Sequence, residues 1–116
     1  MVDNRFHGYW RILEMEMWDR DFIDAEVPGY IQFNEHEMGL FQFGYVRGSM
    51  DCRFSKKEEK DFVEFSWEGN DEMDTALGRG FATIEGDFLI GRLFFHEGDD
   101  SEFKAIKKKV KNNIFI

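Results

Sequence analysis

Residues 67–74 read Trp-Glu-Gly-Asn-Asp-Glu-Met-Asp and place Asn70, Asp71, Glu72 and Asp74 close together, four oxygen-bearing side chains in one short stretch. Such density suits a hard cation, which takes roughly six to eight oxygen ligands. The stretch lacks the Asp-x-Asp-x-Asp-Gly register and the closing Glu of a calcium loop, so no metal ligand is assigned. A structural role competes with a ligand role. Asn70 is a good N-cap, Asp71 and Glu72 suit a first helical turn, and Gly78 suits a terminator, which predicts a short helical plug near residues 71–77. A second acidic stretch, His96-Glu97-Gly98-Asp99-Asp100-Ser101, lies further along. A hydrolase would use Ser101 as nucleophile and His96 as base, yet nothing around Ser101 resembles a nucleophile elbow. Asp99 and Asp100 equally suit a turn in which they hydrogen-bond their own backbone. At one end of a fold the two stretches would form a polar rim; at opposite ends they would be unrelated turns.

Glu14 and Glu16 form a third group. Positions i and i+2 on a strand lie about 6.5–7 Å apart, a distance at which paired carboxylates can do acid–base work once burial separates their pKa values. Strict alternation puts them on the face of Trp10, Ile12 and Trp18. If that face points inward, the two Glu need partners such as Arg53, Arg79 or Arg92, because an unpaired buried charge is very costly. An aromatic-lined interior with such a polar patch would be a small-molecule site.

These groups need a scaffold, and composition limits the choice. A chain of 116 residues makes one domain, residues 1–116, with one core. It is 17% aromatic, with 14 Phe, which favours pleated, half-buried surfaces. The net charge is −9, and every Asp and Glu lies within residues 1–102, while five Lys (Lys104, Lys107, Lys108, Lys109 and Lys111) sit near the C-terminus. An acidic body repels phosphate backbones, which argues against a nucleic-acid partner. There is one Cys, Cys52, which fits a reducing compartment and the expectation of a cytoplasmic protein. No apolar secretory segment opens the chain, and no run approaches the roughly 18 apolar residues of a membrane span. No Gly-rich phosphate loop or Cys/His zinc spacing is present, so no cofactor is expected.

Along the chain, runs of two-residue alternation are separated by Gly-rich or charged punctuation, the mark of antiparallel strands. The runs fall at residues 9–18, 30–34, 39–46, 49–55, 61–67, 81–85, 89–95 and 101–107. Phe41, Phe43 and Tyr45 share one face, as do Met50, Cys52 and Phe54, and again Val63, Phe65 and Trp67. Gly86-Asp87 reads as a hairpin turn. At the C-terminus Phe103, Ile106, Val110 and Ile114 also fit a helical stripe, so a helix rivals the last strand. Seven to eight short strands predict an all-β fold, a small antiparallel barrel or roll that removes edge strands by closing on itself.

The pattern Trp67-Glu68-Gly69-Asn70-Asp71-Glu72-Met73-Asp74, then Gly78-Arg79-Gly80, then residues 96–103, resembles a family of small uncharacterised bacterial proteins. That resemblance implies a single small domain and carries no mechanism. Gly8-Tyr9-Trp10 resembles the Gly-x-Trp opening of lipocalin-type barrels, which implies an up-and-down barrel.

The first expectation is a non-catalytic binding module for a small molecule or a protein partner, acting at a barrel end closed by residues 68–79. Its binding set is Trp10, Glu14, Glu16, Trp67, Asp71, Arg79, Arg92, His96 and Asp99, with no catalytic residue. One alternative is a hydrolase or isomerase using the carboxylates of Glu14, Glu16, Asp71 or Asp99. Another is an interaction or assembly protein using an exposed edge strand or the Lys-rich tail. No oligomeric state is specified by the sequence.

Overall fold

The computed structural model describes residues 4–111 and 114–115. Eight antiparallel strands follow one another in chain order and close into a barrel. They are β1 (Gly8–Met15), β2 (Tyr30–Asn34), β3 (Met38–Phe43), β4 (Val46–Lys57), β5 (Lys60–Asp71), β6 (Asp74–Glu85), β7 (Phe88–Phe95) and β8 (Asp100–Lys108). One short helix, α1 (Arg20–Ile23), lies between β1 and β2. A two-stranded ribbon, β9 (Val110–Lys111) with β10 (Ile114–Phe115), follows the barrel. No helix among the described residues is long and apolar enough to cross a membrane.

The barrel closes where β8 pairs with β1, from Tyr9↔Lys108 to Met15↔Phe103. Closure leaves no free edge among the eight barrel strands, so an edge strand for assembly is not offered by the barrel itself. It also decides the C-terminal ambiguity. Ser101, Phe103 and Ala105 point inward in turn while β8 bonds both neighbours, so a strand forms here and not a helix. Val110 and Ile114 of the helical stripe have side chains outside what the structure describes.

The helical plug expected near residues 71–77 is absent. β5 and β6 run straight into a tight hairpin closed by Asp71↔Asp74. Asn70 caps that turn as a loop former, its Nδ2 donating to the Glu72 carbonyl at 2.7 Å, and Glu72 takes a left-handed φ of 54°. Gly78-Arg79-Gly80, expected as punctuation, lies inside β6. A plug does exist in the connection at residues 19–28. Asp19 caps α1 by accepting from the Phe22 N–H at 2.9 Å, and Ile23 is buried beneath it.

Inward side chains fill the interior. Trp10, Ile31, Phe33, Phe41, Phe43, Met50, Val63, Phe65, Trp67, Leu89 and Phe103 all pack in one cluster. Glycines make room for the larger rings: a Cβ at Gly80 would strike the Phe65 ring, and one at Gly91 the Phe103 ring. The opposite end is shut by Phe6, whose ring lies 5.6 Å from both Phe33 and Phe54. A filled interior leaves no room for the aromatic-lined small-molecule site considered from the sequence.

The face assignments hold for Met50, Cys52 and Phe54 and for Val63, Phe65 and Trp67. They fail at two places. Tyr45 is exposed although Phe41 and Phe43 are buried, because Gly44, at φ 57°, turns the chain before it. In β1 a bulge inserts Leu13 between Ile12 and Glu14. The extra residue shifts the alternation, so Met15 joins Trp10 and Ile12 inside while Glu14 and Glu16 point outward.

The bulge is held from outside. Arg20 donates to the Leu13 carbonyl at 2.5 Å, and Arg11 grips Asp24 with two bonds of 2.9 and 2.7 Å. The same Asp24 accepts from the Gly29 N–H at 2.9 Å. Partial burial pulls the Asp24 carboxyl up, but the bonds from Arg11 and Gly29 outweigh it and hold the group below its ordinary value.

Two predictions arise here. In the β4–β5 hairpin, Glu58 and Glu59 both take left-handed φ, 51° and 69°. That conformation costs a non-glycine residue about 1 kcal/mol, and an Asn followed by a Gly adopts it readily. The double substitution Glu58→Asn with Glu59→Gly should raise stability by about 1–2 kcal/mol and Tm by roughly 5 °C, read in a thermal melt. An unchanged or lower Tm would count against the turn geometry.

The second concerns Cys52, which is fully buried. Burial, helped by the charges of Asp51 and Glu37, pushes its thiol up to about 12. The native protein should therefore resist a thiol reagent at about pH 8 that labels the urea-unfolded chain at once. Its pH linkage has a fixed sign: stability from the neutral thiol is complete below the ordinary thiol value and declines as pH rises from there toward about 12. Rapid native labelling would contradict the packing.

Candidate functional site

The structure divides the nine expected binding residues into three places. Trp10 and Trp67 are core residues, each almost wholly buried. Their indole N–H groups bond the carbonyls of Phe6 and Phe94, at 2.8 and 3.2 Å. Glu14, Glu16, Arg79 and Arg92 lie on the outer wall. Arg92 gathers three carboxylates there: Asp100 at 2.6 Å, Glu16 at 3.4 Å and Glu102 at 3.5 Å. Glu14 lies opposite Lys104 across the β1–β8 ladder. Asp71, His96 and Asp99 come together in a third place.

They meet at the α1 end of the barrel, where the β5–β6 and β7–β8 hairpins stand side by side. The two acidic stretches thus share one rim, the first of the two arrangements the sequence allowed. Backbone bonds hold the hairpins in place. The His96 N–H donates to the Leu77 carbonyl at 2.7 Å, and the Glu72 N–H to the Tyr45 carbonyl at 2.9 Å. Between the hairpins and α1 lies an open groove of about 600 Å³.

Its floor is aromatic. Trp18 stacks on Phe22 at 6.1 Å and packs on Phe95 at 6.0 Å, with Phe43 beneath at 5.0 Å. Gly44 seats the Phe22 ring, since a Cβ there would strike it. Its N–H bonds the Ile23 carbonyl at 2.9 Å, which fixes α1 over the barrel mouth. Asp71, Asp74, Glu97 and Asp99 line the walls. Among the described residues no Lys or Arg forms an ion pair with any of the four; Glu97 meets only His96, at 3.2 Å.

Ser101, considered as a nucleophile, is fully buried. Its hydroxyl accepts from the Met17 N–H at 3.1 Å and donates to the Glu102 carbonyl at 2.9 Å. It has no contact with His96, which is exposed on the hairpin. Sequence reasoning missed the floor. Trp18 and Phe22 flank Asp19 in an otherwise acidic connection, and the N-cap pattern of Asp19 was the sign that a helix would present them.

The molecule belongs to the class of closed, up-and-down antiparallel barrels with a side-chain-filled interior, and its concave polar feature lies at the rim. Set against protein-family models, curated proteins and solved structures, the chain finds no match in any of the three.

Proposed function

We propose that this barrel is a non-catalytic binding module whose rim groove receives a cationic group, an ammonium or a guanidinium, carried by a small molecule or by a protein partner. The observation that carries this reading is the pairing of an aromatic floor with carboxylate walls that lack Lys or Arg partners among the described residues. A cation over an aromatic face gains about 0.5–1 kcal/mol when exposed and about 2 kcal/mol when desolvated. Two or three rings then supply about 2–4 kcal/mol, which places a bare cation between about 1 and 30 mM in affinity. A tighter ligand would need further contacts, which a Lys or Arg side chain on a protein partner supplies.

The test is a titration with arginine methyl ester and with tetramethylammonium, followed by the Trp18 indole resonance. A saturable shift is expected for both cations and none for glutamate. Asp71→Asn with Asp99→Asn should weaken binding by about tenfold, and added salt should weaken it further. No response at Trp18, or an equal response to glutamate, would sink the reading.

The carboxylate-enzyme alternative retains one supporting observation, the meeting of Asp71, Asp99 and His96 in this groove. All three are exposed, whereas an acid–base pair needs surroundings that push its members apart. Hydrolysis of a panel of esters that is lost in Asp71→Asn would favour it over binding alone.

A further inference from the structure

A different surface carries an independent inference. The outward side chains of β4 to β7 form an open trough of about 1420 Å³ on the barrel wall. It exceeds the roughly 300–1,000 Å³ of small-molecule pockets and is lined by exposed apolar groups. Phe62 stacks on Phe81 at 6.0 Å and Phe81 packs on Phe94 at 6.1 Å, giving one diagonal aromatic row across three strands. Leu77 and Met38, 47% and 54% exposed, extend it. An exposed aromatic row flanked by charged side chains, on a barrel whose core is already complete, suits an interaction surface.

The charges within this patch are distinctive. Arg53 is tied to Asp51 on its own strand. Arg79, central in the patch between Ser66 and Phe94, forms no ion pair among the described residues, and neither do its diagonal neighbours Glu64 and Glu68. Covering the patch with a surface of one charge sign would leave the patch's own charges of that same sign buried, repelled and without a partner, which is strongly unfavourable. A second copy of the same surface, turned by a two-fold axis, supplies carboxylates for Arg79 and a guanidinium for Glu64 and Glu68, each contact made twice. The shape also allows it: the outside of a twisted barrel is a saddle, and two saddles fit when crossed near a right angle.

We infer that the outer face of β4–β7 is a self-association surface, with a second copy of this chain as its occupant. Arg79 of each copy meets Glu64 and Glu68 of the other, and the Phe62–Phe81–Phe94 rows pack together. Each copy carries a net charge of −9, so long-range repulsion opposes encounter while the buried pairs are screened far less. Association should therefore tighten as salt rises.

Sedimentation equilibrium on the full chain tests this. The native chain should show a reversible dimer that tightens with salt. Arg79→Glu should weaken it by roughly thirtyfold, the effect of losing a central interface Arg. Adding Glu64→Arg and Glu68→Arg to Arg79→Glu should restore it, because the charges are exchanged and not removed. Phe81→Ser, which leaves every charge in place, should also weaken it. Thermal melts keep folding failures apart from loss of association. A chain that stays monomeric at every salt and concentration overturns the inference and leaves the face to a different polypeptide. A dimer indifferent to Arg79→Glu, or one that the charge exchange fails to restore, overturns it as well.

Discussion

Trp67→Ala is expected to destabilise the barrel by about 3–5 kcal/mol, a large part of the roughly 5–15 kcal/mol that holds a domain together. Trp67 lies 3% exposed at the crossing of three packing directions. Its ring meets Phe41 at 5.1 Å and Phe95 at 5.1 Å, both edge to face. Its indole N–H bonds the Phe94 carbonyl, so truncation also removes the donor from a part-buried acceptor. The neighbouring strands cannot close over the void, since Gly48 and Gly78 beside it have no side chains to move in. Urea unfolding should show a lower midpoint at nearly unchanged slope, and Trp67→Phe should recover part of the loss. Sequence alone marks Trp67 as a ligand contact. A Trp67→Ala protein with native stability would return it to that role.

Removal of residues 104–116 is expected to unfold the protein outright. The last strand of the barrel is the element that joins β7 to β1, and its residues 104–106 pair with both. Ala105 is wholly buried, Lys104 lies over the Phe88 ring at 4.3 Å, and Lys107 over Trp10 at 5.3 Å. Without them two sheet edges open and one face of the core meets water, a loss that exceeds the stability of a domain this size. Far-ultraviolet circular dichroism and the loss of a cooperative melt would record it. A truncated chain that still melts cooperatively, and merely fails to capture a partner, would restore the Lys-rich tail as an interaction element.

The same segment illustrates how composition can mislead. By composition alone, five Lys near the C-terminus of an acidic body suggest a tail available for interaction. Three of them instead belong to a closing strand, where the stems and ammonium groups of Lys104 and Lys107 cover aromatic rings. The hairpin at residues 71–74 misled for a related reason. Asn70, Asp71 and Glu72 are as suitable for a tight turn as for a helix start, because short polar side chains satisfy free backbone groups in either setting. What decided between them was the pairing of the two long strands on either side.

Much of the architecture needed no tertiary information. Two-residue alternation of Phe, Trp, Val and Met against Glu, Ser and Arg specifies strands, because successive side chains on an extended backbone face opposite ways. With most turns short, antiparallel neighbours follow, and a chain of 116 residues with so many strands avoids edges most simply by closing. Beside the closing strand and the hairpin at residues 71–74, tertiary structure alone decided two further matters. One is the bulge at Leu13, which shifts β1 by one position and sends Glu14 and Glu16 outward; alternation is blind to an inserted residue whose cause is the register demanded by β8 and the anchorage of Arg20. The other is the rim. Asp71 and Asp99 are far apart in sequence, and only the side-by-side placement of two hairpins above Trp18 and Phe22 turns separate acidic turns into one groove.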